Sequence, residues 1–345
     1  MASSVLTRFS VSSTPSAPRR RRRPGWAAAA WLIASACLVL GAPSGAAAQV
    51  AASAPAAAAQ PASRDPGADF ITPHITDSRE IDYPCLRPGF VCVQELPRWA
   101  PLRIGSLEID LSPTKHVVWL LIAAILCLAT LLAAARFHRR HVANPAVAPG
   151  GFAAGIEAMV LYLRQTVVLP NVGPHGDAYT PFILTLFFFI LFANLVGLIP
   201  YGSTATGNIS VTLMLALVSF VVTEVSGMVA LGSDYWKTVV YWNTDLKLPL
   251  RVLMAILMSP IEVFSKFTKP FALTIRLFAN MIAGHVVLLA LISLIFTFGS
   301  YWIAAAPVLM GVAISLLEIF VAFLQAFIFA ILTAVFIGQI RAGAH

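Results

Sequence analysis

The sequence predicts an all-α polytopic membrane protein: five membrane-crossing helices and one interfacial amphipathic helix, with the last two crossing helices long and strongly tilted as an antiparallel hairpin. Three observations carry this. Of the 345 residues, 59% are hydrophobic and 11% charged, where soluble domains carry about 25% charged residues. The apolar residues stand in blocks long enough to span a bilayer. The basic residues between those blocks alternate in a way that fixes an orientation. Disordered chains are poor in apolar residues, so composition excludes that class as well.

The net charge of +8 is concentrated at the start of the chain. Arg8 and Arg19 to Arg23 lie in an acid-free leader, and without them 17 basic residues face 15 acidic ones. No basic surface remains for nucleic acid.

Residues 1–48 read as a cleaved secretory signal peptide: a basic region to Arg23, an apolar stretch from Trp26 to Leu40, and small residues at Ala46, Ala47 and Ala48 before Gln49. An uncleaved anchor, a mitochondrial presequence and a weak lipoprotein site at Cys37 are the alternatives. Residues 49–115 then form an extracytoplasmic extension whose Ala/Pro-rich start is linker-like. Cys85 and Cys92 fall within it, as a possible disulfide in an oxidising compartment or as two free thiols. Cys127 lies in an apolar span and reads as core. No Cys or His cluster has metal-ligand spacing, so no metal site is expected.

The membrane domain follows over 116–345. A bilayer core of about 30 Å needs roughly 20 apolar residues as helix. Val117 to Ala135, Pro181 to Pro200 and Ile209 to Leu231 supply three such spans, the last interrupted by Glu224. Between the first two, Gly155 to Val168 has apolar residues at helical spacing but is short of a span, as expected of a helix lying in the interface. Two blocks remain, Ile261 to Phe298 and Val308 to Ile340. As continuous helices they reach about 57 Å and about 50 Å, so they must tilt, break or protrude. Pro270 can kink the first without ending it, and Gly299 and Ser300 supply the turn between them.

Arg136, Arg139 and Arg140 follow the first span, and Lys237, Lys247 and Arg251 follow the third. Arg341 follows the last block, while 201–208 and 299–306 hold no Lys or Arg. Positive loops face the cytoplasm. The mature N-terminus is therefore expected outside and the C-terminus in the cytoplasm, in agreement with the signal peptide.

Ionisable groups inside a membrane are costly and default to function. The long pair carries Glu262, Lys266, Lys269, Arg276, His285 and Glu318, with Asn280 and Gln325. On a helical wheel Glu262, Lys269, Arg276 and Asn280 share a face, and His285 points elsewhere. Arg276 cannot lose its proton and needs a negative partner. That partner is either an internal glutamate or a carboxylate on another protein. His285 and Glu318 form a natural proton-relay pair or a structural salt bridge. Glu262 sits near the cytoplasmic helix end, as a functional acid or as an ordinary solvated helix start after Pro260, and Glu224 either lines the same inner cavity or makes a structural pairing.

At this point the residues resemble a known family. The block SPIEVFSKFTKPFALTIRLFANMIAGH (259–285), the block LQAFIFAILT (324–333), and NLVGLIP (194–200) followed by TATGNISVT (204–212) are similar to the signatures of subunit a of F-type ATP synthase. The resemblance implies a proton-translocating stator subunit of the membrane sector. It would form two offset half-channels against the rotor c-ring and couple proton flow to rotation for ATP synthesis. Arg276 would face the ring carboxylates, with Asn280 and Gln325 as polar neighbours. His285 and Glu318 would form the outer half-channel pair, and Glu262 would stand by the inner one. Gly197 stands where some members have an aspartate, and Glu224 where some have an apolar residue. The implied partners are the c-ring, the peripheral-stalk b subunits, the rest of the complex and membrane lipid. No catalytic site is expected on the chain: it has no P-loop, no cofactor motif and no intramembrane nucleophile–base pair. The implied location is a bacterial inner membrane, or alternatively the mitochondrial one. A self-contained secondary transporter is the competing class, but it favours internal repeats, and none is visible.

Overall fold

A computed structural model describes residues 76–84, 91–99, 102–104, 107–109, 112–143, 151–173, 176–199, 202–240, 248–298 and 301–342. The signal peptide, the Cys85–Cys92 pairing and the Gly299–Ser300 turn lie outside the described residues.

The extension contains a small amount of β-structure that composition did not suggest. β1 (Glu80–Pro84) pairs antiparallel with β2 (Val91–Glu95), and β3 (Leu102–Ile104) with β4 (Leu107–Ile109). The rest is helical, in an all-α polytopic membrane architecture. Among the described residues, six helices are long and apolar enough to cross a membrane, by length and composition.

α1 (Lys115–Ala143) begins after Pro113, and its first turn is tied to the extension by Lys115 N–H donating to the Ser78 carbonyl at 3.0 Å. It runs well past the expected Ala135, because a helix leaving the bilayer has no reason to stop at its first charges. α2 (Phe152–Val172) is longer than the predicted amphipathic segment and holds one wide π-helical turn at Leu163–Val168. It is the least apolar of the six, so length alone does not separate interfacial from crossing geometry. The His138 imidazole lies 3.1 Å from the Glu157 carboxylate and ties it to α1.

α3 (Thr180–Gly197) has Pro181 in its first turn, where the missing N–H is no loss. α4 (Ile209–Leu231) has the limits read from its hydropathy. The Asn208 side chain caps it, accepting from Ser210 N–H at 2.9 Å, and Gly232 at φ 56° ends it.

α5 (Leu248–Phe298) and α6 (Tyr301–Ala342) are 51 and 42 residues long. At 1.5 Å per residue they reach about 76 Å and about 63 Å, so each must tilt in or protrude from a bilayer. α5 starts 13 residues before the expected Ile261. Pro260 reads as a helix start in the sequence but is accommodated inside the helix, as are Pro270 and, in α6, Pro307. The Thr274 hydroxyl donates back to the Pro270 carbonyl at 2.9 Å, whereas the carbonyl that Pro270 deprives of its N–H is that of Lys266, one turn earlier.

α6 packs against α5, α3, α4 and the end of α2, while α1 packs on α2 and α3. The core runs through Ile183, Phe188, Ile190, Leu215, Leu277 and Ile337, all buried. Cys127 is buried as expected. Along α5, Phe264, Phe271 and Ile275 are exposed, and Phe267 is exposed too although its ring stands 5.9 Å from that of Phe220 on α4.

Candidate proton-path site

The charged and amide side chains fall into three places along the α5–α6 pair. The first is the open face of α5. Arg276 and Asn280 are exposed one turn apart, as are Ala272, Ala279 and Ala283 beside them, while Leu273, Leu277 and Met281 on the flank toward the bundle are buried. Among the described residues no ion pair or hydrogen bond engages the Arg276 guanidinium. Its charge is fixed and its neighbours on this face are apolar, so the face presents a single permanent cation to whatever covers it. Gln325 is 5% exposed on α6, inside the bundle rather than on the open face. Lys269 also leaves the expected common face, because its ammonium donates to Gln339 Oε1 at 3.3 Å and lies over the Phe336 ring at 4.9 Å.

The second place is where α5 and α6 cross near Gly284. The Glu318 carboxylate occupies the space that a side chain at 284 would fill: a Cβ there would collide with Glu318 Oε1. Glycine at 284 therefore lets Glu318 reach the α5 backbone directly beside His285. Both residues are half-buried. Glu318 Oε2 is buried with no hydrogen-bond partner among the described residues, unusual for a buried carboxylate oxygen and suited to a group that gains and loses a proton. The separation of about 12 Å along the axis between positions 276 and 284 keeps this crossing apart from Arg276.

The third place is a cavity of about 370 Å³ toward the other end of α5, lined by Glu224, Glu262, Lys266, Lys269, Ser219 and Thr223 among others. Glu224 and Glu262 do line one cavity. Sequence reasoning did not find the partner of Glu224. Lys266 donates to Glu224 Oε2 at 3.2 Å, with both side chains 12% exposed. It also reaches the Tyr235 hydroxyl at 3.4 Å and Thr238 Oγ1 at 3.3 Å, and its ammonium stands over the Tyr235 ring. The Tyr235 hydroxyl donates to Glu224 Oε2 as well. Two opposite charges on neighbouring spans were the available signal. Removing one partner of a buried pair costs about 3–5 kcal/mol, because a charge is left uncompensated. Lys266→Met is therefore expected to lower the thermal stability of the purified protein, and adding Glu224→Leu should recover most of the loss. A double variant no better than the single one would contradict this coupling.

Two amide and hydroxyl positions in the quoted motifs are structural. Asn194, fully buried in α3, accepts from Thr206 Oγ1 at 2.8 Å and donates to the Ala322 carbonyl at 3.5 Å. It thereby ties loop 198–208 to α6. Gly197 has no room for a side chain, since a Cβ would lie 2.7 Å from Thr204 Oγ1 and 2.9 Å from its Cα.

The family described as ATP synthase A chain matches residues 117–338, the whole helical domain that carries all three places. The chain belongs to the ATP synthase A chain family. Proteins named ATP synthase subunit a share 41% identity with it in Anaeromyxobacter dehalogenans, over 77% of this chain and 68% of that one. The figures are 42% in Chloroherpeton thalassium, over 77% and 74%, and 41% in Myxococcus xanthus, over 77% and 90%. Membership in this family makes the chain a multi-pass, proton-translocating subunit of the ATP synthase membrane sector.

Proposed function

We propose that this chain is the stator against which a ring of carboxylate-bearing subunits turns. It would form two offset half-channels on that c-ring and couple proton flow to rotation for ATP synthesis. The observation that carries the reading is Arg276: a permanent cation on an exposed, otherwise apolar helix face, without a counter-ion among the described residues. A carboxylate on a moving partner supplies the missing charge.

In this reading a proton from outside passes His285 and Glu318 and neutralises a ring carboxylate, which then turns into lipid, where a charged one is strongly opposed. After nearly a full turn it reaches the 370 Å³ cavity, and the proton leaves past Glu262. Glu224, held by Lys266 and Tyr235, stands in the lining of that cavity. Arg276, with Asn280 beside it and Gln325 behind it in the bundle, attracts the bared carboxylate. It also blocks direct leakage between the half-channels. Each proton contributes about 2.3 kcal/mol per 100 mV, so several must be coupled to one ATP made on other subunits. Peripheral-stalk b subunits and lipid cover the remaining apolar surface. The protein lies in a bacterial inner membrane with residue 49 outside and the C-terminus in the cytoplasm.

One purification tests the assembly and topology together. Mild-detergent extraction through a tag on this chain is expected to bring down a small ring protein with an acidic residue in its membrane helix. The recovered chain is expected to begin near Gln49. Recovery without any ring protein, or with Met1 intact, would contradict the respective half of the reading.

A further inference from the structure

A second cluster of titratable groups lies away from α5. His116, in the first turn of α1, is 4% exposed. Its Nδ1 is 2.9 Å from the Ser203 hydroxyl, itself buried, and its Nε2 is 3.8 Å from Asp77 Oδ1. The Asp77 side chain is 29% exposed and belongs to the extracytoplasmic extension. Asn208 Nδ2 donates to its other oxygen at 3.4 Å. Lys115 is the neighbouring charge on α1 and is buried too. The Thr114 hydroxyl beside them is buried with no hydrogen-bond partner among the described residues. A histidine thus bridges a partly exposed carboxylate and a buried hydroxyl, at the end of the bundle where the extension meets loop 198–208.

That loop leads on to the relay pair. A side chain at 207 would come within van der Waals range of Ile282, three residues before His285. Thr206, through Asn194, connects to the Ala322 carbonyl, one turn from Glu318. Ser203 lies in the same short loop.

We propose that Asp77, His116 and Ser203 form a proton-uptake relay at the outer mouth, so that the extension supplies the first acid of the outer half-channel. This rests on the reading of His285 and Glu318 as that half-channel. The Asp77 carboxylate binds a proton from outside water and, after a small rotation, delivers it to His116 Nε2. The imidazole releases its Nδ1 proton to the Ser203 oxygen, and the serine passes its own hydroxyl proton to a water molecule on its inner side. Each group ends with the number of protons it began with, and the imidazole and hydroxyl must then turn back before the next proton. A buried histidine that only fastened the extension would need hydrogen bonds but no proton exchange.

The two roles separate on His116→Gln, since glutamine keeps a donor and an acceptor but does not carry a proton on and off. In vesicles holding the assembled complex, His116→Gln is expected to assemble and to lose most outside-to-inside proton conduction. Wild-type conduction by His116→Gln would overturn the proposal and leave His116 a fastening. Should that variant fail to assemble, Asp77→Asn and Ser203→Ala replace it, and full conduction in both would overturn the proposal equally. His285→Gln measured in parallel separates the layers. Normal conduction there removes the half-channel reading itself, whereas normal conduction in the His116, Asp77 and Ser203 variants alone removes only this relay.

Discussion

Arg276→Ala is expected to abolish proton-driven ATP synthesis while the complex still assembles. The argument rests on where the side chain is. Its α5 neighbours Leu273 and Leu277, on the flank toward the bundle, hold the helix in place, so truncating an exposed arginine removes a charge without opening a core cavity. Assembly should therefore survive. What is lost is the attraction for an ionised ring carboxylate and the barrier to a protonated one slipping through. Arg276→Lys should rescue poorly. Lysine can shed its proton in an apolar setting and lacks the planar fork that meets a carboxylate with two parallel hydrogen bonds. The check is ATP synthesis under an imposed proton gradient, normalised to assembled complex. Wild-type synthesis by Arg276→Lys would show that a positive charge suffices and that the geometry of the fork does not matter.

The second large effect is expected at the α5–α6 crossing. Replacing His285 with alanine, or Glu318 with leucine, should remove most proton flux with assembly largely intact, since both side chains are only half-buried. Glu318 lies against the backbone at Gly284, the residue next to His285. Exchanging them, His285→Glu with Glu318→His, should retain more flux than either exchange alone. Gly284→Ala makes the geometric version of the same point: the new methyl group collides with the Glu318 carboxylate, so flux should fall although no titratable group is changed. Flux measured in vesicles with each variant decides it. Unchanged flux in the single apolar variants would mean that the pair serves only to hold the helices together.

Much of this was legible in the sequence, for identifiable reasons. α4 has the limits its hydropathy gives, Ile209 to Leu231, because an apolar run flanked by an asparagine cap and a glycine stop leaves the helix no other ends. The wheel placed Arg276 and Asn280 together and His285 apart, and backbone periodicity alone suffices for that. It failed at Lys269, whose long side chain bends to Gln339 and Phe336. The apolar block also started too late, at Ile261, because α5 continues back through Pro260 to Leu248. Spacing along one chain does not show which spans meet. The Lys266–Glu224 pair and the contact of Glu318 with position 284 therefore appear only when α4, α5 and α6 are placed side by side. The cluster around His116 was invisible for the same reason, since its three members come from residues 77, 116 and 203.

The central claim, a fixed cation that couples a moving carboxylate to the two half-channels, is tested most directly by two readings on one preparation: ATP synthesis and passive proton conduction in vesicles containing the assembled Arg276→Ala complex. The account expects synthesis to vanish while passive conduction persists or rises. Near-normal synthesis would contradict it.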